Sequence, residues 1–340
     1  MQIRLSKNFN ALYLGIAMFA AVSQSASAAE VTWTLAHTQV PGSMTQTAAE
    51  EIPERIAKAT DGRVEIVVNT SLVPPNRHLE GIRDGIVDMS ILLEGYYSST
   101  LPVVGLVYLP FVANTNAEYR QLRESEIGQE IARTYDDEYD AKILMHGVVC
   151  PQTLVSTKPV TTKDDWSGWD VRVGSKPMGV LMTQLGANAV SLATGDVQPG
   201  LQRGIIDGVL TDGCWAQGAG FFSGGLVSDA ADWKLGLLGY PVIISNSAFD
   251  ALPDDLKPVV EAEFKAIEND LYEEIEERLV DLRQRIEKDG GTPHEIAPEE
   301  IIAIRDGSIV EAIDEDWAAG ASDAGLDADK WLGIARSISQ

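Results

Sequence analysis

Gly200-Leu201-Gln202-Arg203-Gly204-Ile205-Ile206-Asp207 repeats the form of an earlier run, Gly81-Ile82-Arg83-Asp84-Gly85-Ile86-Val87-Asp88. Both read glycine, aliphatic, two polar residues, glycine, isoleucine, aliphatic, aspartate. Glycine ends a helix because it alone enters the left-handed region without strain, and the aliphatic residues that follow suit a buried strand entered through the aspartate. An equivalent helix-to-strand corner in each half of the chain implies two similar lobes. The alternative is chance similarity of two such turns, since glycine commonly ends helices.

The segments around the repeat alternate in the same way. Val31-Thr32-Trp33-Thr34-Leu35-Ala36 reads as a first strand, Pro41-Gly42-Ser43 opens a helix to about Thr60, and Asp61-Gly62-Arg63 turns into the strand Val64-Glu65-Ile66-Val67-Val68. Helix and strand recur from Ile82 to Leu93 and from Ile127 to Val149, and the alternation restarts at Thr153. That pattern predicts α/β lobes rather than a bundle or a sandwich. From Leu252 the chain turns helical: Pro253-Asp254-Asp255 starts a stretch to about Lys288 with no internal glycine. A helix of about 35 residues is about 50 Å long, too long for one lobe, so it is expected to lie across both. Shorter helices are expected from about Pro298 and about Ser322.

Bulk properties exclude several classes. The chain has 340 residues, 26 basic against 51 acidic, for a net charge of −25. Nucleic acid is not an expected partner, because phosphate binding needs a basic face. Residues 1–29 read as an export signal: Arg4 and Lys7, an apolar run from about Ala11 to Val22, then Ala26-Ser27-Ala28 as a cleavage site. The apolar run is short of the roughly 20 residues that span a bilayer, so a soluble exported protein is expected. Roughly 310 mature residues exceed a usual single core, again suggesting two lobes.

Catalytic patterns are missing from the sequence. His37, His78, His146 and His294 show no metal-ligand spacing, and neither a phosphate loop nor a nucleophile elbow occurs. An enzyme is not expected, nor any cofactor or metal. Binding features are richer. Glu94-Gly95-Tyr96-Tyr97 follows the strand that starts at Asp88, and Thr211-Asp212-Gly213-Cys214-Trp215 follows the strand that starts at Asp207. Ligands collect beyond strand C-termini in open α/β lobes, so both segments should face one cleft. For the aromatic residues Tyr96, Tyr97 and Phe221, and less so for Trp215, the alternative is packing of lobe against lobe. Arg172 ends the strand in Trp169-Asp170-Val171-Arg172-Val173, where a guanidinium presents a rigid fork suited to a carboxylate. Its alternative is a surface arginine paired with a neighbouring acid.

With these features the chain resembles the extracytoplasmic solute-binding proteins of tripartite ATP-independent periplasmic transporters. The similarity covers nearly all the mature sequence. It rests on Trp33-Thr34-Leu35-Ala36 with Pro41-Gly42-Ser43, Thr60-Asp61-Gly62-Arg63-Val64, Gly85-Ile86-Val87-Asp88-Met89, Leu109-Pro110-Phe111, Leu185-Gly186-Ala187, the corner Leu201 to Gly208, and the arginine strand Gly168 to Val173. The resemblance implies an α/β, two-lobed periplasmic binding protein fold with a ligand cleft between lobes and a long helix spanning both. The first lobe would take 30–150 plus about 238–277, and the second 151–237 plus about 278–340.

The resemblance also implies that Arg172 makes a two-point salt bridge to a ligand carboxylate and that ligand draws the lobes together. Glu94 and Asp212 are possible acceptors for hydroxyl or amino groups on the ligand; Trp215, Tyr96, Thr211, His37 and Gln152 complete the candidate set. Two departures matter. Many dicarboxylate and sialic-acid binders carry a second arginine on the preceding strand, but Val149-Cys150-Pro151-Gln152-Thr153 has none. Asp196 and Gln198 stand where the family usually has glutamate and tyrosine. A monocarboxylate with hydroxyl, amino or apolar substituents is therefore favoured over a diacid. The implied role is periplasmic capture of a small organic acid for the membrane subunits of the transporter; the alternative is a periplasmic sensing protein that presents its closed form to a membrane receptor. Cys150 and Cys214, the only cysteines, lie close to segments that converge on the family's pocket, and in an oxidising compartment they are expected to pair. Two buried free thiols are the alternative.

Overall fold

The computed structural model describes residues 29–38 and 42–339. The export signal expected at 1–29 lies outside them except for Ala29, and so does Pro41. Eleven strands are described: β1 (Val31–Ala36), β2 (Val64–Asn69), β3 (Met89–Ile91), β4 (Ala141–Met145), β5 (Gln152–Ser156), β6 (Asp170–Val173), β7 (Asn188–Ser191), β8 (Gly208–Asp212), β9 (Asp229–Ala231), β10 (Val242–Ser245) and β11 (Thr292–His294). They form two sheets, ordered β2-β1-β3-β10-β4 and β11-β9-β5-β8-β6-β7.

The five strands of the first sheet each have a counterpart in the second, which adds β11 at its edge. In the first, β1 runs parallel to β2 and β3, and β10 lies antiparallel between β3 and β4. In the second, β6 runs parallel to β7 and β8, and β5 lies antiparallel between β8 and β9. Each antiparallel strand is the one that enters just after the chain has crossed from the other lobe. The sequence repeat is the corner before β3 and β8. Gly85 and Gly204 take φ of +69° and +67°, and Ile86 and Ile205 donate their N–H to the carbonyls of Gly81 and Gly200 at 2.8 and 2.9 Å. A β-branched residue there would be strained, so glycine is required at both corners. The matching bonds show that the repeat is structural.

Between the lobes the chain crosses at 146–151 and returns at 232–241. The two crossings pair antiparallel: Val149 N–H donates to Leu238 O at 3.0 Å and Tyr240 N–H to Gly147 O at 2.9 Å. The long helix is Lys257–Lys288, 32 residues or about 48 Å. It begins four residues later than expected, because Pro253 to Leu256 form a turn and Pro258 sits at the permissive start of the helix. Val260, Phe264, Ile267, Leu271 and Ile275 recur every three or four residues to give it a buried stripe. It packs on the helix Met44–Ala59 and β4 of the first lobe, and on the helix Gly213–Gly218 and β11 of the second. No helix among the described residues is long and apolar enough to cross a membrane.

The C-terminal part differs from expectation. Three helices follow β11: Pro298–Arg305, Ser308–Asp323 and Ala328–Ser337. Ser322 closes the second rather than starting one, and Asp327 caps the third through Lys330 N–H. Nor does everything after residue 278 sit on the second lobe. Trp317 Nε1 donates to Pro102 O of the first lobe at 2.7 Å, while Asp316 pairs with Lys176 of the second at 2.8 Å. Helix Ala328–Ser337 packs on the first lobe, with Lys330 paired to Glu126 and Arg336 bonded to Pro110 O.

Candidate functional site

The strand ends of both sheets and the crossing segments line a partly open cavity of about 100 Å³. The first lobe lines it with Ser43, Thr45, Leu93, Gly95, Tyr96 and Tyr108. The second contributes Arg172, Gly174, Thr194, Thr211, Asp212 and Trp215, and the crossings add Val149, Leu238, Gly239 and Tyr240. Three of the expected residues, Thr211 and Asp212 at the end of β8 and Trp215 in the helix Gly213–Gly218, thus lie on one wall.

Arg172 is the third residue of β6, held between Val190 of β7 and Val209 of β8. It is only 5% exposed, its Nε donates to Leu192 O at 3.0 Å, and it makes no ion pair among the described residues. Burial lowers its pKa, opposed by the Tyr96 hydroxyl that faces it. The reading as a surface arginine paired with an acid therefore does not hold. A buried cation facing a cavity without a counter-charge is costly, and an anion in the cavity offsets that cost.

On another part of the wall, Asp212 ends β8 and caps the helix Gly213–Gly218, accepting Cys214 N–H at 2.8 Å. Burial pushes its carboxyl up to about 7 despite the N–H groups of Trp215 and Cys214 and the charge of Arg278. Trp215 stacks edge-on against Phe221, 4.9 Å between centroids. Its buried Nε1 and the buried Tyr240 hydroxyl have no hydrogen-bond partner among the described residues. Buried polar groups are rarely left unpaired, so these two atoms keep hydrogen-bonding capacity that the described residues do not use.

Cys150 and Cys214 are disulfide-bonded, with Cα atoms 5.8 Å apart. The bond ties the first crossing to the helix that carries Trp215. Free thiols are excluded among the described residues.

Three expected contacts fall outside the lining. Glu94 is fully buried and accepts from Arg123 at 2.6 Å and from Tyr135 at 2.8 Å, so its carboxylate is occupied inside the first lobe rather than offered to a ligand. Its neighbours Gly95 and Tyr96 face the cavity instead. His37 is buried beside the Thr38 carbonyl, and burial lowers its pKa. Gln152 opposes Asp212 across the strand pair but turns its amide to Leu235 O. Conversely Ser43, Thr45, Tyr108, Thr194 and the run Leu238-Gly239-Tyr240 line the cavity without having been expected. The second crossing reads as ordinary loop sequence; only its pairing with the first places it at the site.

Comparison with known proteins gives a consistent picture. The family model described as bacterial extracellular solute-binding protein, family 7, matches residues 35–317. A solute-binding protein of Roseobacter denitrificans is 28% identical over 209 residues, 61% of this chain and 64% of its own length; the chain thus spans just under two thirds of that relative. The C4-dicarboxylate-binding periplasmic protein of Rhodobacter capsulatus is 25% identical over 301 residues, 85% of this chain and 88% of that one. Among solved structures, an extracytoplasmic solute receptor of Bordetella pertussis that binds pyroglutamic acid superposes with a TM-score of 0.80 at 20% identity, covering 90% of this chain and 99% of that chain.

Proposed function

The chain belongs to bacterial extracellular solute-binding protein family 7, a family of receptors rather than enzymes, and from that premise we propose that it captures a small organic acid in the periplasm and delivers it to the membrane subunits of a tripartite ATP-independent transporter. The observation that carries this reading is Arg172, buried, fixed by Leu192 and without a counter-ion at the cavity wall. A guanidinium in that state binds a carboxylate by paired, charge-assisted hydrogen bonds shielded from water.

The proposed ligand is a monocarboxylate bearing a hydroxyl or N–H group. Among the described residues no second arginine or lysine lines the cavity, so a second carboxylate would lie there without a cation and beside Asp212. Asp212, the Tyr240 hydroxyl and Trp215 Nε1 suit hydroxyl, carbonyl or N–H groups on the rest of the molecule. Size supports the same class. A cavity of about 150 Å³ holds one benzene, so the space of about 100 Å³ found here suits a small ligand rather than a large one. Titration calorimetry with lactate, pyruvate, pyroglutamate, succinate and malate tests the proposal. Tight binding of a monocarboxylate supports it; tight binding of the two diacids with no response to the others overturns the ligand class.

A further inference from the structure

The two lobes touch on the turn that follows β3. Gly95 packs on the end of the arginine strand: a methyl group there would come within 2.9 Å of Gly174 O. Next to it, the Tyr96 hydroxyl reaches across to the second lobe. It lies 2.7 Å from Thr194 Oγ1 and accepts Thr194 N–H at 3.2 Å. The same hydroxyl faces the Arg172 guanidinium. Ser98 then accepts Lys176 N–H at 2.9 Å. Behind the turn, Glu94 is bonded to Arg123 and Tyr135, which fixes residues 94–98 to the first lobe.

We propose that Tyr96 is a closure latch that couples the charge state of the Arg172 pocket to the joining of the lobes, a role beyond ligand contact and resting on the reading of Arg172 as the carboxylate site. Closing the lobes buries the guanidinium. Without an anion that burial opposes closure, and with a carboxylate in place the opposition is removed. The Tyr96 hydroxyl then supplies the bonds across the cleft: its oxygen is taken by Thr194 N–H, and its proton is free for Thr194 Oγ1 or for a carboxylate oxygen held by Arg172. Arg172 thus acts as a brake and Tyr96 as a catch, on opposite lobes and in contact only in the closed form.

The two roles separate without any ligand. A spin label is placed on each lobe, and the interlobe distance distribution is measured for the ligand-free wild type, Arg172→Met, Tyr96→Phe and the double variant, each checked by a melting curve. The wild type is expected to be mostly open. Arg172→Met, which removes the charge and keeps the bulk, should raise the closed-to-open ratio about tenfold. Adding Tyr96→Phe to it should lower that ratio about fivefold, the loss of one net hydrogen bond. A double variant as closed as Arg172→Met overturns the latch, and an Arg172→Met no more closed than wild type overturns the brake. The carboxylate reading fails separately, if titration of wild type with the five acids named above gives no binding while these ligand-free distances behave as stated.

Discussion

Asp88 and Asp207 make the same two bonds in the two lobes. Asp88 accepts Thr34 N–H at 2.7 Å and donates its own N–H to Thr34 O at 3.1 Å; Asp207 accepts Asp170 N–H at 3.0 Å and donates to Asp170 O at 2.7 Å. Each aspartate therefore starts the pairing of one central strand with its neighbour, β3 with β1 and β8 with β6. Asp207→Ala and Asp88→Ala should each destabilise the protein by about 1–3 kcal/mol, because a strand N–H loses its acceptor where water has poor access. Urea denaturation of the two variants checks this, and a cost at only one corner would contradict the equivalence.

These residues also show what the sequence made legible. The eight-residue repeat names the corner directly, since glycine and aspartate at fixed spacing are local requirements of backbone geometry. Arg172 was legible only in part: its strand could be read, but the segment alone left a surface arginine paired with an acid as the alternative, and the carboxylate role came from the family resemblance. Glu94 was not, because its partners Arg123 and Tyr135 come from distant helices, and nothing local tells a carboxylate that faces a ligand from one that faces an arginine. Tyr240 and Leu238 were equally silent, as they reach the cavity only through the pairing of two crossings far apart in sequence. The C-terminal helices divide between lobes by tertiary contacts such as Trp317 to Pro102, which no periodicity records.

The disulfide closes a separation of 64 residues and holds the Trp215 helix to the first crossing. The double variant Cys150→Ala/Cys214→Ala should lose about 2–4 kcal/mol of stability. Ligand affinity should fall as well, since Val149 and Trp215 line the cavity beside the two cysteines. Chemical denaturation and calorimetric titration read the two effects. Unchanged affinity in the folded variant would show that the bond acts on stability alone.

Buried His78 and partly buried His146 contribute to the response to acid. Burial, with the charges of Arg123 and Lys265, holds His146 down to about 3, and burial holds His78 down to about 4. Both are neutral in the folded protein, while in the unfolded chain they gain a proton below about pH 6.5. Their contribution is complete above that value and is lost as pH falls toward 4 and then 3. Stability should therefore decline below about pH 6.5, and His146→Gln, if it folds, should flatten that decline.

Asp212 acts with the opposite sign. Burial raises its carboxyl to about 7, well above the unfolded value, so its contribution is present at low pH and is lost as pH rises through about 7. Asp212→Asn keeps a capping side chain for the helix Gly213–Gly218 and cannot ionise. Relative to wild type, the variant should gain stability between about pH 4 and 7, measured by denaturant titration at several pH values. A constant difference across that range would show that Asp212 does not titrate there.

The most direct measurement concerns Arg172. The acid that co-purifies with the wild type is identified by mass after mild denaturation, then titrated calorimetrically into wild type, Arg172→Ala and Arg172→Lys, with a melting curve for each. Arg172→Ala should lose about 3–5 kcal/mol, or two to three decades and more in affinity, because the ligand carboxylate is left buried without a partner. Arg172→Lys should recover only part of that, since the charge returns without the planar fork. Melting should change little in either case. Near-native affinity in Arg172→Ala, or a lowered melting temperature with normal binding by the folded fraction, would contradict the assignment of Arg172 as the carboxylate anchor.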